Sequence, residues 1–197
     1  KLALYQEMAR AGVPFVTTWT LEAARAQVQS LPYPLIVKER GGSGSVGVQV
    51  LSCPADWDRV HCQGDWIVQP FLIPAAWHEG PEGVSPYLER LKRMGQPMQK
   101  DDLSTQVMIS EAGQILGRFA SVNRLKAGVP MCVDPIDDEM VWAATNSFAN
   151  ALIHLGLRGP CNLEGHITRK GIVFFEANPR FTGLSHVRAQ MGYNEVE

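Results

Sequence analysis

Two glutamates and two asparagines lie within one short stretch of this chain, Gly159 to Arg180, GPCNLEGHITRKGIVFFEANPR. The stretch reads as two strands, 161–168 and 172–178, joined by Arg169-Lys170-Gly171, with Gly171 in the left-handed position that ends a three-residue hairpin loop. That loop sets Thr168 opposite Ile172, His166 opposite Phe174, Glu164 opposite Glu176 and Asn162 opposite Asn178. Alternation then gives an apolar face of Leu163, Ile167, Val173, Phe175 and Ala177, which must lie on a core. The other face carries Asn162, Glu164, His166, Phe174, Glu176 and Asn178.

Carboxylates directly opposed across a hairpin have Cβ atoms ~5 Å apart and, at an effective dielectric near 20, repel by ~3 kcal/mol. Such a pair needs a proton, an interposed arginine or a cation. Hard oxygen donors from Glu and Asn suit Mg²⁺ or Mn²⁺, which are held by one or two carboxylates plus phosphates. The bland alternative is a surface hairpin with solvated glutamates; Phe174 on their face argues against full exposure and places that ring beside whatever binds there.

The E-A-N-P-R of residues 176–180, after an apolar strand and a preceding N-L-E strand, resembles the C-terminal signature of the ATP-grasp superfamily, which includes carbamoyl phosphate synthetase and biotin carboxylase. The resemblance implies that Glu164, Glu176 and Asn178 hold Mg²⁺ (or Mn²⁺) bridging ATP phosphates, and that Arg180 contacts the transferred phosphate. It implies an α+β fold of two lobes clamping ATP, with mostly antiparallel sheets.

Other residues fall in the order this family shows. Gly42-Ser43-Gly44-Ser45-Val46-Gly47 matches G-x-G-x-x-G, but strand-forming Val48, Val50 and Leu51 follow where a dinucleotide fingerprint needs a helix. A strand–glycine loop–strand flap, with Ser43, Gly44 and Ser45 over phosphates, is the remaining reading. Lys38 precedes it, on the face opposite Leu35 and Val37, as a point charge for an α- or β-phosphate; an exposed lysine on a flexible hairpin is the alternative. Lys1 is similar in position to a basic residue that opens the family's domain and touches phosphate. The strand at 66–72 resembles the hinge whose backbone reads adenine, at Gln69, Phe71 and Leu72, although Gln69 replaces a common acid and Pro70 removes a donor. Asp102 opens D-L-S-T-Q, similar to the strand whose first acid holds the ribose hydroxyls, with Gln106 where a later acid stands. Arg124 resembles an arginine that reaches the transferred phosphate, its planar fork suiting that contact. Thr182, Ser185, His186 and Arg188 follow where relatives approach the acceptor.

The elements that must position these residues read as helices over 2–11, 21–29 (capped by Thr20) and 140–155, a short helix over 54–60, and strands over 13–18, 35–40, 102–109 and 114–121. Asp134–Asp138 reads as the polar approach to a helix. The lobes are expected at 1–70 and 71–197, with an insertion at 73–100 in which Tyr87, Leu88, Leu91 and Met94 fall at helical spacing behind Ser85-Pro86. That insertion is a surface helix or a lid. The chain begins with Lys1 rather than Met, as a fragment would, and a preceding N-terminal domain is expected to be missing from it.

Composition excludes other classes. Apolar residues at 45% and charged residues at 19% fit a soluble globular chain, and a net charge of −2 gives no bulk attraction to nucleic acid or an acidic membrane. Cys53, Cys62, Cys132 and Cys161 form no C-x-x-C pair, so a zinc knuckle is not indicated and a reducing, cytoplasmic setting is the default. No apolar run approaches the ~20 residues of a membrane helix. The expected function is a ligase that activates a carboxylate as an acyl phosphate for attack by an amine. Bicarbonate activation, as in carbamoyl phosphate synthetase or biotin carboxylase, is one alternative, and a non-catalytic ATP-binding module another. Expected partners are small-molecule carboxylates and amines, with a homodimer left open and neither nucleic acid nor membrane involved.

Overall fold

The computed structural model describes residues 1–42, 47–62, 64–79, 84–86, 88–89, 98–126 and 129–196. Its framework is two antiparallel sheets, and the alternation of apolar residues sets what each buries.

The smaller sheet is built from β1 (Trp19–Thr20), β2 (Leu35–Glu39), β3 (Gln49–Leu51) and β4 (Trp66–Pro70), in the order β1-β4-β2-β3. In β2, Leu35 and Val37 are fully buried, with Leu51, Trp57 and Val68, while Lys38 projects from the other face, as expected. Two helices precede β2 in the chain, α1 (Leu2–Arg10) and α2 (Leu21–Arg25). The start of α2 is capped by Thr20, whose Oγ1 accepts from the Ala23 amide at 3.1 Å. The helix expected over 21–29 stops at Arg25 and gives way to a 3₁₀ turn at Val28–Ser30; the short helix expected at 54–60 is likewise 3₁₀, Pro54–Arg59.

The larger sheet is built from β5 (Met98–Ile109), β6 (Ile115–Lys126), β7 (Val129–Pro135), β8 (Gly159–Thr168) and β9 (Gly171–Asn178), in the order β7-β6-β5-β8-β9. Helix α3 (Glu139–His154), capped by Asp138, covers one face through Val141, Phe148, Ala149 and Leu152, packed with Leu103, Val107, Ile109, Leu163 and Phe174. Strand β7 is not expected from the sequence, because Pro130 and Pro135 argue against a strand, yet an edge strand tolerates them.

Helix α1 and the segment after it join this larger core through Met8, Val13, Phe15 and Val16 rather than packing in the smaller sheet's core. The strand expected at 13–18 is a single parallel bridge of Phe15 to Phe174, with the Val16 amide donating to the Phe174 carbonyl at 2.8 Å. In the 73–100 segment, a 3₁₀ turn at Ala75–His78 sets the Trp77 indole on the Asp101 carboxylate at 2.6 Å. The Leu88 amide donates to the Val84 carbonyl at 3.1 Å, and the remainder of the helix expected there, including Tyr87, Leu91 and Met94, lies outside the described residues.

The β8–β9 hairpin keeps part of the expected register and changes the rest. Asn162 faces Asn178 and Glu164 faces Glu176, but the turn is tighter than expected, with Thr168 opposite Gly171 and His166 opposite Val173. A bulge beyond Glu164 absorbs the difference, leaving Phe175 unpaired in the ladder. Gly165 makes this fit: a Cβ there would meet the Val173 carbonyl oxygen at 2.6 Å and the Phe174 Cα at 3.0 Å. The bulge reverses the two phenylalanines. Phe174, expected on the carboxylate face, is 1% exposed in the core, edge-on to Phe148 at 5.2 Å between ring centroids. Phe175, expected to face the core, meets the Lys38 ammonium 5.3 Å from its ring centroid.

Candidate functional site

The face of the larger sheet turned away from α3 carries two polar rungs. One runs Glu176–Glu164–Ser104–Ser121 across β9, β8, β5 and β6, and its neighbour runs Asn178–Asn162–Gln106–Phe119. Alternation places Asp102 and Asn123 on the same face, one rung further on.

Glu164 and Glu176 face each other, as the spacing predicts. Burial, with Glu176 adding to it, pushes the Glu164 carboxyl up to about 7, against smaller opposing effects of Lys38, Arg180 and Lys1. The Asn178 amide lies 3.5 Å from Glu164 Oε1. From the smaller sheet, Lys38 approaches the same pair. Burial pushes its ammonium down to about 8, and Glu176 and Glu164 oppose that shift. Lys1 Nζ donates to the carbonyls of Gly42 (2.9 Å) and Arg40 (3.2 Å) and lies 3.8 Å from Glu176 Oε1. The base of the glycine flap is therefore tied to the carboxylate pair; Ser43, Gly44 and Ser45 lie outside the described residues.

These donors fit a small divalent cation. Two carboxylates and a neighbouring amide offer hard oxygen ligands on one rung and the next. Among the described residues no group of three or more His, Cys, Asp or Glu assembles, so further ligands would come from phosphate or water.

Asp102 is held by a residue to which the sequence assigned no role beyond its face. His166 Nδ1 lies 3.1 Å from the Asp101 carbonyl oxygen, which can only accept, so Nδ1 carries the proton. Burial pushes the imidazole down to about 4, leaving it neutral with the Nε2 lone pair toward Asp102 Oδ1 at 3.3 Å. Burial, then Glu164 and Asp101, push Asp102 well above the usual carboxylate range. With Nδ1 committed to the Asp101 carbonyl, the contact between Nε2 and Oδ1 needs one proton, held by one partner or the other.

The remaining predicted residues divide. Arg180 is exposed beside the pair, its Nη1 donating to the Phe181 carbonyl at 3.0 Å. Arg124 does not join the cluster: alternation from Asn123 sends it to the opposite face, opposite Cys132 on β7, where it is exposed. Gln69 is buried, its amide donating to Thr18 Oγ1 at 2.9 Å, and its backbone is paired with Ile36. The Phe71 amide donates to the Pro34 carbonyl at 2.8 Å, which removes it as a donor to a base. Leu72 is half-buried against the larger core. Phe174 is excluded by the bulge, and Phe175 takes the position expected of it. Gly165 is the signal that would have revealed this, since an isolated glycine inside a strand pattern marks a bulge. Arg188, expected near an acceptor, is fully buried.

No known family model matches the chain, and no curated protein does. Solved structures do. The chain is similar to an ADP complex of PurK, an N5-carboxyaminoimidazole ribonucleotide synthetase, at 21% identity and TM-score 0.66, covering 92% of this chain and 44% of that one. It is similar to the N5-carboxyaminoimidazole synthetase of Staphylococcus aureus complexed with ADP, at 15% identity and TM-score 0.70, covering 96% and 46%. It is also similar to the biotin carboxylase domain dimer of Hydrogenobacter thermophilus 2-oxoglutarate carboxylase in complex with MgADP, ADP and bicarbonate, at 17% identity and TM-score 0.64, covering 91% and 39%. This chain spans less than half the length of each. At these identities the likeness establishes architecture, and the two antiparallel sheets with their helices have the ATP-grasp fold.

Proposed function

We propose that this chain is the nucleotide-binding part of an ATP- and Mg²⁺-dependent ligase that activates a carboxylate as an acyl phosphate for attack by an amine. The carrying observation is the opposed pair Glu164–Glu176, half-buried, with Lys38 from the other sheet directed at it. In this reading Glu164, Glu176 and Asn178 hold Mg²⁺, which would supply charge neutralisation to the triphosphate. The lobes meet near residue 71, with the nucleotide between the sheets and residues 1–16 crossing back onto the larger core.

The chain's own groups then have distinct tasks. Lys38 and Lys1 balance phosphate charge, and Lys1 also fixes the start of the glycine flap. Arg180 orients the transferred phosphoryl group by its planar fork. The carboxylate oxygen attacks the γ-phosphorus and ADP leaves; the amine then attacks the carbonyl carbon and phosphate leaves. Asp102, held beside His166, takes the ribose hydroxyls in this reading. The hinge contact narrows to Leu72, since the Phe71 amide is already paired. Arg124, on the far face of its strand, is left out of the phosphate contacts in this reading.

Bicarbonate as the activated carboxylate is the second reading, favoured by the structural neighbour that holds bicarbonate together with MgADP. ADP release, screened over carboxylates crossed with amines, with and without bicarbonate and Mg²⁺, tests both. Mg²⁺-dependent release with one pair supports the ligase, and stimulation by bicarbonate alone selects the second reading. Nucleotide binding with no ADP release under any pairing refutes both.

A further inference from the structure

Arg188 is the largest fully buried side chain of the described residues, and it is spent on an unusual set of partners. Its Nη1 donates to Thr182 Oγ1 (3.0 Å), Gln106 Oε1 (3.1 Å) and Glu195 Oε1 (3.2 Å), and its Nη2 to Ser104 Oγ (3.4 Å). Ser104 and Gln106 stand opposite Glu164 and Asn162 on the two polar rungs. Thr182 lies in the loop between Arg180 and helix α4 (Ser185–Gln190), and its hydroxyl also accepts from the Leu184 amide at 3.3 Å.

We propose that Arg188 is a positioning residue: it clamps the Arg180 loop to the strand beside Glu164 and so fixes the phosphate end of the site. The identification of that end rests on the ligase reading; the clamp itself does not. The Ser104 hydroxyl carries the effect on the sheet side. It accepts from Asn162 Nδ2 at 2.8 Å and from Arg188, which occupies both lone pairs and leaves its proton to donate on the rung of Glu164. Thr182 carries the effect on the loop side, two residues from Arg180.

Stability alone does not account for this arrangement. Burying a guanidinium with a carboxylate seldom gains over apolar packing, and α4 already docks through buried Leu184. Among the described residues, Gln106 Nε2, Ser121 Oγ, Asn123 Oδ1, Arg188 Nε and Glu195 Oε2 are all buried without a partner. What the network secures is direction: one planar fork reaches two strand positions, one loop residue and Glu195 together.

The test separates clamping from bulk stability. Arg188→Met strands Glu195 and lowers the melting temperature, whereas the double variant Arg188→Met/Glu195→Met removes both charges and melts within a few degrees of the parent. If the clamp is real, the double variant still exchanges the amide hydrogens of residues 180–185 at least about tenfold faster, with β5 and β8 unchanged. Its affinity for ATP falls about tenfold in the presence of Mg²⁺ and stays at the parent value with the metal chelated. Arg188→Lys, which keeps the charge and loses the fork, shows the same pattern and serves if the double variant does not fold. Parent-like exchange in that loop overturns the proposal, as does unchanged Mg²⁺-dependent affinity in a protein that binds ATP. A parent chain that binds no nucleotide refutes the ligase reading instead, and the exchange measurement still decides the clamp.

Discussion

Lys38 and Glu164 belong to different sheets and are displaced in opposite directions. Burial drives the lysine down to about 8 and the glutamate up to about 7, so each is pushed toward losing its charge at neutral pH. They are close enough to oppose each other's shifts, yet neither neutralises the other fully. The smaller sheet presents a buried cation, and the larger sheet presents opposed anions that Lys38, Lys1 and Arg180 offset only in part. A metal-bound polyphosphate complements both together, because its cation suits the carboxylates and its oxygens suit the lysine. The cost of holding each group apart from water is what a ligand of that chemistry would relieve. The two sheets differ in rigidity of support as well. The carboxylate pair sits on two long paired strands backed by Phe174, Phe148 and Phe15, whereas Lys38 rests on a five-residue strand with its ammonium over Phe175.

The largest effect should come from the backing. Phe174→Ala removes a fully packed ring from the core and should cost about 3–5 kcal/mol of unfolding free energy. Phe175→Ala, one residue away, should cost much less and should instead alter the titration of Lys38. Denaturant midpoints of the two variants check this. Equal losses would show that the bulge does not sort the two rings as described.

Next is the carboxylate pair itself. Glu176→Gln should leave the fold intact, because it removes a like-charge repulsion, and should lower Mg²⁺-dependent turnover at least about 100-fold, or roughly 2.7 kcal/mol of barrier. The same variant should bring the Glu164 carboxyl down toward its ordinary range, since Glu176 is the second cause of its rise. Carboxyl titration followed by NMR reads this without any substrate. An unmoved Glu164 would remove the electrostatic half of the comparison.

Gly165→Ala follows, at about 1–3 kcal/mol. The added methyl meets a backbone carbonyl at 2.6 Å, which cannot rotate away as a side chain would. If the strand relieves the clash by flattening the bulge, Phe175 leaves Lys38, and the loss of affinity for nucleotide should accompany the loss of stability. A variant as stable as the parent would mean that the bulge does not depend on glycine.

Period-two alternation is why much of this site was legible in the sequence. Once the hairpin was recognised, Glu164 and Glu176 had to share a face, as had Asn162 and Asn178, and Lys38 had to oppose Leu35 and Val37. Resemblance added the fold, which no residue pattern alone would give. Failures began where alternation is interrupted or a partner is distant in sequence. The bulge exchanged Phe174 for Phe175. The face of Arg124 depends on the pairing of Asn123 with Asp102, a long-range register that the local pattern does not encode. The inward turn of Arg188 depends on Gln106 and Ser104, more than eighty residues earlier. His166 appeared on the correct face, but its bond to Asp102 arises only because β5 and β8 are neighbours.

The smallest effect isolates the lysine. In the folded chain Lys38 loses its proton near pH 8, and in the unfolded chain near its ordinary value of 10.5. Between these values the unfolded state binds more protons, so unfolding free energy rises with pH through that window on account of this group. Below about 8 the ammonium is charged in both states and its burial is a fixed penalty. Lys38→Met should therefore raise stability modestly at pH 7 and flatten the rise between about pH 8 and 10 relative to the parent. The informative quantity is the difference between the two proteins at each pH. MgATP should reverse the ranking at pH 7, stabilising the parent more than the variant, because only the parent offers its phosphates a cation from the smaller sheet. Parallel pH profiles for the two chains, with and without nucleotide, would leave the carboxylates as the sole electrostatic feature of the site and dissolve the pairing of the two sheets.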